Sequence, residues 1–343
     1  MNVLPTEPYM AHLRAASFEL ECGLLLQDQY YSSLVALVYA DQEPSFHLSI
    51  ACTLPGYAIQ LWELKGQQKP EACLRYQEHT DEITALAWSK DHRYVASASE
   101  DRKILIWDAL SGETRLAYTE QAVVRALAWS PDNHFLVAGD ENNSISVLHT
   151  AQASVRAIDT RQLDGSYGID ALVWSPHGDK FASVGDDNVV SIWDAETGMI
   201  LLRYTGHGDQ WVLNLAWSPD GQWIASGADD IHLWHVETGA CQFVYTKHDT
   251  AQFWIDQIAW SPDSKLIASS TTNNVLHIWN PQREDPLYVC NHPYQAGQLE
   301  GLIANALAWS IDLSQPASAA KHLAFASCNR VVSLIDISEE ERE

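Results

Sequence analysis

Tryptophan recurs along this chain at a nearly constant interval, and few folds tolerate that. Leu86-Ala87-Trp88-Ser89, Leu127-Ala128-Trp129-Ser130 and Leu172-Val173-Trp174-Ser175 are followed by Leu215-Ala216-Trp217-Ser218, Ile258-Ala259-Trp260-Ser261 and Leu307-Ala308-Trp309-Ser310. Leu37-Val38-Tyr39-Ala40 is a weaker first copy, and the intervals are 49, 41, 45, 43, 43 and 49 residues. A second series of seven interleaves with the first: Leu61-Trp62-Glu63, Ile106-Trp107-Asp108, Val147-Leu148-His149, Ile192-Trp193-Asp194, Leu233-Trp234-His235, Ile278-Trp279-Asn280 and Leu334-Ile335-Asp336. A period near 43 signals an array of like units, each too small to bury its own apolar faces.

Turn signals separate the apolar runs. Ser218-Pro219-Asp220-Gly221 leads into Trp223-Ile224-Ala225-Ser226, and Glu196-Thr197-Gly198 leads into Ile200-Leu201-Leu202. Pro and Asp initiate tight turns, and Gly supplies positive φ. Each unit therefore reads as four short strands joined by hairpins. The strands are continuous apolar runs rather than clean alternations, so both faces of each small sheet need cover. Radial packing of sheet on sheet provides it.

These two series and the Ser-Pro-Asp turns carry a resemblance to the WD-repeat (WD40) propellers over about Leu24 to Ser338. Only Trp107-Asp108 and Trp193-Asp194 keep the signature dipeptide, while Leu148 and Ile335 replace the Trp in the third and seventh units. The resemblance implies an all-β, seven-bladed β-propeller with four-stranded antiparallel blades. The blade cores fall near residues 34–63, 83–108, 124–149, 169–194, 212–235, 255–280 and 304–337. Residues 1–23 form an N-terminal extension, 24–338 the propeller and 339–343 an acidic tail. The last unit lacks a fourth strand at its C-terminal side, so the run Leu24-Leu25-Leu26 is expected to complete it and close the ring.

Charge and composition exclude several functions. Lys+Arg is 20 and Asp+Glu is 45, giving a net charge of −25. Nucleic acid is bound by neutralising phosphates with Lys and Arg, so it is a poor partner here, as is an anionic membrane surface. The six cysteines (22, 52, 73, 241, 290 and 328) form no C-x-x-C pair and read as reduced thiols. With no signal-like start and no long apolar window, the expected compartment is cytoplasmic.

Two constellations resemble chemistry. The resemblance places His79, Ser97, Asp101 and Trp107 at the positions of the WD-repeat structural tetrad, and His207, Ser226, Asp229 and Trp234 at the same positions in the fifth unit, where Asp230 competes with Asp229. A Ser–His–Asp triad is the rival reading, but a nucleophile is rarely needed twice, and a buried hydrogen-bond network explains the recurrence. The sixth unit keeps His248 but has Asn273 in place of the Asp. Among the 14 histidines there is no metal-ligand spacing; His232 and His235 sit i, i+3 on a strand and face opposite sides. No cofactor and no metal are expected.

In such propellers the mouth of the channel is lined by residues six and four before each inner Trp. The outer ring reads Ser33, Glu82, Val123, Gly168, Trp211, Trp254 and Ile303; the ring beneath it reads Val35, Thr84, Arg125, Asp170, Leu213, Asp256 and Asn305. Trp211, Leu213 and Trp254 are expected to form an apolar patch, with Asp256 and Asp170 beside it and Arg125 and Glu82 further round. Trp is the residue type most enriched in binding hot spots. The plain alternative is that each Trp caps its own sheet core. The expected function is a non-enzymatic scaffold holding a protein or peptide partner, with a basic residue beside an apolar anchor. A propeller hydrolase or lyase with its site at the mouth is the runner-up, and self-association through the last unit is a third possibility.

Overall fold

The computed structural model describes residues 15–19, 35–42, 45–54, 56–65, 71–158, 160, 168–248, 254–272, 275–283, 285–291, 306–309, 311–312, 322–326 and 331–336. The strands pair into six four-stranded antiparallel sheets and one sheet of five strands. The second sheet shows the pattern: Ile83–Trp88, Tyr94–Ser99, Lys103–Asp108 and Thr114–Thr119 follow one another in chain order. The third begins at Val124–Trp129, the fourth at Ile169–Trp174, the fifth at Asn214–Trp217 and the sixth at Ile255–Trp260. These first strands lie side by side in succession, second to third to fourth to fifth to sixth.

The interleaved tryptophans do different work. Those closing the first strands bridge between sheets. The indole N–H of Trp129 donates to the Ala87 carbonyl (3.1 Å), Trp174 to Ala128 (3.0 Å), Trp260 to Ala216 (3.2 Å) and Trp309 to Ala259 (3.0 Å). Each acceptor precedes the Trp of the neighbouring sheet. Trp217 departs from this, donating to Gly221 in its own hairpin (3.2 Å), where the preceding sheet has Val173 instead of Ala. The third-strand tryptophans Trp107, Trp193, Trp234 and Trp279 are fully buried. Truncating such a side chain to Ala costs about 3–5 kcal/mol.

A further seam contact was not read from the sequence. Tyr76, Tyr204 and Tyr245, near or at the ends of fourth strands, stack on the third-strand Trp of the next sheet: Tyr76 on Trp107 (4.2 Å, 7°), Tyr204 on Trp234 (4.6 Å, 6°) and Tyr245 on Trp279 (4.2 Å, 5°). Near-parallel stacking adds to the area that burial removes from water. Burial pushes the Tyr76 phenol up to about 12, although a hydrogen bond with Thr114 in the next sheet (2.7 Å) opposes the rise.

The hairpin turns explain the Ser-Pro-Asp signature. In Ser218-Pro219-Asp220-Gly221 the Ser hydroxyl donates to the Asp220 carboxylate (2.5 Å) and accepts from the Trp223 N–H (2.9 Å). The same pair of bonds holds Ser89, Ser130 and Ser261. The left-handed position is Gly221 (φ 77°) here, but His92, Asn133 and Ser264 occupy it elsewhere at φ 59–61°.

Two features correct the expected organisation. The strand paired with Val331–Asp336 is Ala15–Glu19, inside the segment read as an extension, with Ala15 opposite Ile335 and Glu19 opposite Val331. Leu24–Leu26, expected in that place, lie outside the described residues. Both segments are short and largely apolar, and local sequence does not choose between them. The first sheet (Val35–Gln42, Ser45–Leu54, Ala58–Lys65, Glu71–Tyr76) is not four-stranded. Ile311–Asp312, just after the first strand of the last sheet, adds to it in parallel beside Ala40 and Asp41. The acidic tail 339–343 is also outside the described residues.

The indole bridge gives a direct prediction. Trp174→Phe leaves a smaller ring, as Trp217→Phe also does, and in addition strands the Ala128 carbonyl, so chemical denaturation should show an extra loss of about 1–2 kcal/mol. Trp217→Phe, whose N–H serves only its own hairpin, should lose less. Equal losses would mean that bridging between sheets is not what the indole supplies.

Candidate functional site

The ring of residues four before each Trp has a physical origin in the strand ladders. In the second, third, fourth and sixth sheets the register between the first two strands slips by one residue, skipping Thr84, Arg125, Asp170 and Asp256 respectively. A bulge leaves its extra residue out of the ladder and re-aims the side chain. In the fifth sheet Leu213 sits just before the first strand, its N–H donating to the Gly227 carbonyl (3.0 Å). Several of these residues reach the next sheet. The Thr84 hydroxyl donates to the Val124 carbonyl (2.6 Å), and an Arg125 Nη1 lies 3.5 Å from Asp170 Oδ1.

The expected apolar patch is open to solvent. Trp211 keeps 65% of its surface, Trp254 48% and Leu213 36%, so neither indole is sealed into a sheet core. Val212 between them is buried and packs with Val184, Leu215 and Trp234, which turns Trp211 and Leu213 outward. Trp254 is fixed by its backbone, its N–H donating to the Thr272 hydroxyl (3.1 Å) and its carbonyl accepting from the Thr272 N–H (3.0 Å). Gly227 lets the fifth and sixth sheets approach beneath the patch; a Cβ there would meet Ile255 Cγ2 at 2.7 Å. Asp256 is half-buried, and Glu82 is exposed, with its N–H bonded to Asp81 (2.9 Å). Asp170 is the carboxyl with a changed proton affinity. Burial and the nearby Asp186 carboxyl raise it to about 6, against the pull of Arg125. Ser33, Ile303 and Asn305 lie outside the described residues.

In the second sheet His79, Ser97, Asp101 and Trp107 are joined in one run of hydrogen bonds. His79 Nδ1 lies 3.0 Å from Asp101 Oδ2, His79 Nε2 lies 2.8 Å from Ser97 Oγ, and the Trp107 indole donates to Ser97 Oγ (3.3 Å). Burial lowers the proton affinity of His79, with Asp101 opposing. Burial alone would raise Asp101, but the Thr80 N–H, His79 and the Lys103 N–H hold it below the ordinary range. In the fifth sheet only three members meet: His207 Nε2 with Ser226 Oγ (2.7 Å), and the Trp234 indole with the same hydroxyl (3.0 Å). Asp229 instead accepts from the Gln210 amide (3.4 Å). The shortened turn before Ile231 moves the carboxylate away, and Gln210 occupies the space between.

Two histidines that spacing did not single out complete a different device. His232 stacks on His207 (3.9 Å, 18°) and bonds through Nδ1 to the Tyr204 hydroxyl of the preceding sheet (2.7 Å). The sixth sheet repeats it: His277 stacks on His248 (3.9 Å, 15°) and bonds to Tyr245 (2.8 Å), while His248 Nε2 meets Ser269 Oγ (2.8 Å). Asn273 lies outside the described residues. Burial, helped by the stacked neighbour, pushes His207 down to about 3 and His248 to about 2; burial takes His277 to about 4. These imidazoles are neutral structural groups. The signal that could have found them is the pairing of each with a Tyr eleven residues beyond a third-strand Trp.

The family model described as WD domain, G-beta repeat matches residues 70–108, 114–148, 158–194, 198–233 and 239–280, more than half of the chain. The chain belongs to the WD40 family. It is an all-β propeller protein with four-stranded antiparallel blades, and members of this family typically act as protein-interaction scaffolds. Among curated relatives, this WD40 chain is 32% identical over 120 residues to WD repeat-containing protein slp1 of Schizosaccharomyces pombe, a match covering 34% of the chain and 24% of slp1. It is 26% identical over 142 residues to guanine nucleotide-binding protein G(I)/G(S)/G(T) subunit beta-1 of Homarus americanus, and 27% over 142 residues to guanine nucleotide-binding protein subunit beta-1 of Caenorhabditis briggsae. Each of those two matches covers 40% of this chain and 41% of the relative. The described residues include no helix long and apolar enough to cross a membrane.

Two outcomes test the site's internal chemistry. Asp101→Ala should cost about 2–3 kcal/mol in chemical denaturation, because it breaks a buried charged hydrogen bond. Asp229→Ala should stay within about 0.5 kcal/mol. The stacked histidines bind no proton in the fold, whereas the unfolded chain takes them up near 6.5. Their contribution is complete above pH 6.5 and declines as pH falls toward about 3. Removing both His232 and His277 (His→Phe) should flatten that decline, measured as stability against pH.

Proposed function

We propose that the chain is a seven-bladed ring that captures a protein or peptide segment at its channel mouth and has no catalytic role. Ring closure is supported by the pairing of Ala15–Glu19 with Val331–Asp336, and by Ile311–Asp312 running beside the first sheet. The first strands of the first and last sheets are also neighbours. In this reading the propeller begins at or before Ala15 rather than at Leu24 and extends to about Ser338.

The observation that carries the capture reading is the exposure of Trp211 and Trp254 at equivalent positions of adjacent sheets. Large apolar side chains held outward by a rigid backbone suit an anchor side chain of a partner. Asp170 and Asp256, on bulges of the fourth and sixth sheets either side of the fifth, favour a Lys or Arg beside that anchor, and the net charge of −25 steers basic partners toward the protein. The relatives named as guanine nucleotide-binding protein subunits are consistent with a role in assemblies. A hydrolase or lyase site built from His and carboxylates together would need a histidine at the mouth. The two rings carry Asp170, Asp256, Glu82 and Arg125 but no histidine. A cytoplasmic setting goes with this reading, supported by the free thiols of Cys73, Cys241 and Cys290.

Peptide display followed by calorimetry tests the proposal. Sequences selected on the intact protein should pair an apolar anchor with Lys or Arg. Trp211→Ala combined with Trp254→Ala should weaken them at least tenfold, with stability changed by less than about 1 kcal/mol. A large stability loss from that pair would instead assign the indoles to the sheet cores.

A further inference from the structure

The third and fourth sheets meet at the mouth through a mixed-charge cluster that is tightly built. Arg125, the bulge residue of its strand, crosses to the fourth sheet and places Nη1 3.5 Å from Asp170 Oδ1. It passes over Gly168, where a Cβ would lie 3.0 Å from Nη1 and 2.9 Å from Glu141 Cα. A Cβ on Gly185 would meet the Gly168 carbonyl at 2.0 Å, so this pair of glycines allows two backbone segments to touch. That contact, with the Asp186 N–H donating to Gly168 O (3.3 Å), holds Asp186 close enough to Asp170 for its charge to raise the Asp170 proton affinity. Two carboxyls at that range cannot both remain charged without a cost.

The surrounding charges are few among the described residues. From the third sheet come Arg125 and Glu141, whose Oε1 accepts the Val123 N–H (3.3 Å). From the fourth come Asp186 and Asp187, the latter 3.4 Å from Arg203. The first strand of the fifth sheet, Asn214–Trp217, brings no titratable side chain.

We propose that Arg125, Asp170 and Asp186 form a proton-operated latch: when Asp170 takes up a proton, Arg125 is released from it and this cluster loses its net negative charge. With both carboxylates charged, one is offset by Arg125 and one is left to attract a cation. With Asp170 protonated, Arg125 offsets Asp186 and nothing is left over. Acidification therefore weakens capture of a partner carrying a basic residue; this last step rests on the capture reading above. The raised proton affinity of Asp170, about 6, puts the transition in mildly acidic solution. Its causes also fix the direction in which two variants act. Asp186→Asn removes the neighbouring charge and lowers the midpoint, whereas Arg125→Gln removes the opposing cation and raises it.

The test uses the full chain and two readouts. Carboxyl 13C NMR should show Asp170 titrating near pH 6, with Asp186→Asn and Arg125→Gln moving the midpoint in opposite directions. A labelled nonapeptide with Leu followed by Lys should bind up to about tenfold more weakly per pH unit below the midpoint, while its norleucine counterpart binds equally at pH 7.5 and 5.0. An Asp170 midpoint near 4, or variants that fail to move it oppositely, overturns the latch. Opposite NMR shifts with no binding of either peptide keep the latch and overturn capture at this patch. Lysine-peptide binding that ignores pH overturns the link between them.

Discussion

A single hydrogen bond, repeated, organises this protein: the indole N–H at the end of one inner strand donates to a carbonyl of the strand beside it. A four-stranded sheet built of continuous apolar runs has two faces to cover, and its neighbours are the available cover. Dispersion and the hydrophobic effect bring sheets together but are indifferent to sliding. The indole bond, 3.0–3.2 Å long wherever it crosses between sheets, fixes the register of one inner strand against the next. The Tyr–Trp stacks do the same further from the centre. The periodic Trp is therefore both the unit's core and its alignment mark.

Much of the architecture was legible because it follows from periodicity. The Leu-Ala-Trp-Ser series marked the inner strands, and Ser-Pro-Asp marked the hairpins whose Ser and Asp close on each other. What could not be read depended on competition between segments that look alike. Leu24–Leu26 and Ala15–Glu19 are both plausible strands, and local sequence does not say which one reaches Val331–Asp336. The two-residue addition of Ile311–Asp312 is too short to carry a pattern. At the mouth, spacing identified Arg125, Asp170 and Asp256, but not the register slip that turns them out of the ladder. Asp186 escaped notice because its role comes from the contact of Gly168 with Gly185, which are distant in sequence.

The tetrads show how tolerant the repeat is. The second sheet carries the full chain of Asp101, His79, Ser97 and Trp107. In the fifth sheet the Asp229 carboxylate is bound to Gln210 and not to His207, and the sixth keeps His248, Ser269 and Trp279. The fourth keeps only Ser183 and Trp193, joined at 2.8 Å. The Ser–Trp bond is the common element, and the His is an elaboration on it. Where His is present in the fifth and sixth sheets, a second imidazole stacks against it and ties it to a Tyr of the sheet before.

The bulges at the start of the inner strands separate two tasks that a regular ladder would bind together. A residue outside the ladder contributes no rung, so its identity is free to change while the sheet beneath stays as it was. Thr84 is neutral, Arg125 cationic and Asp170 and Asp256 anionic, yet all four stand in equivalent places. The rim is in effect an alphabet with one letter per wedge, and a new recognition surface could be spelled on it without redrafting the scaffold.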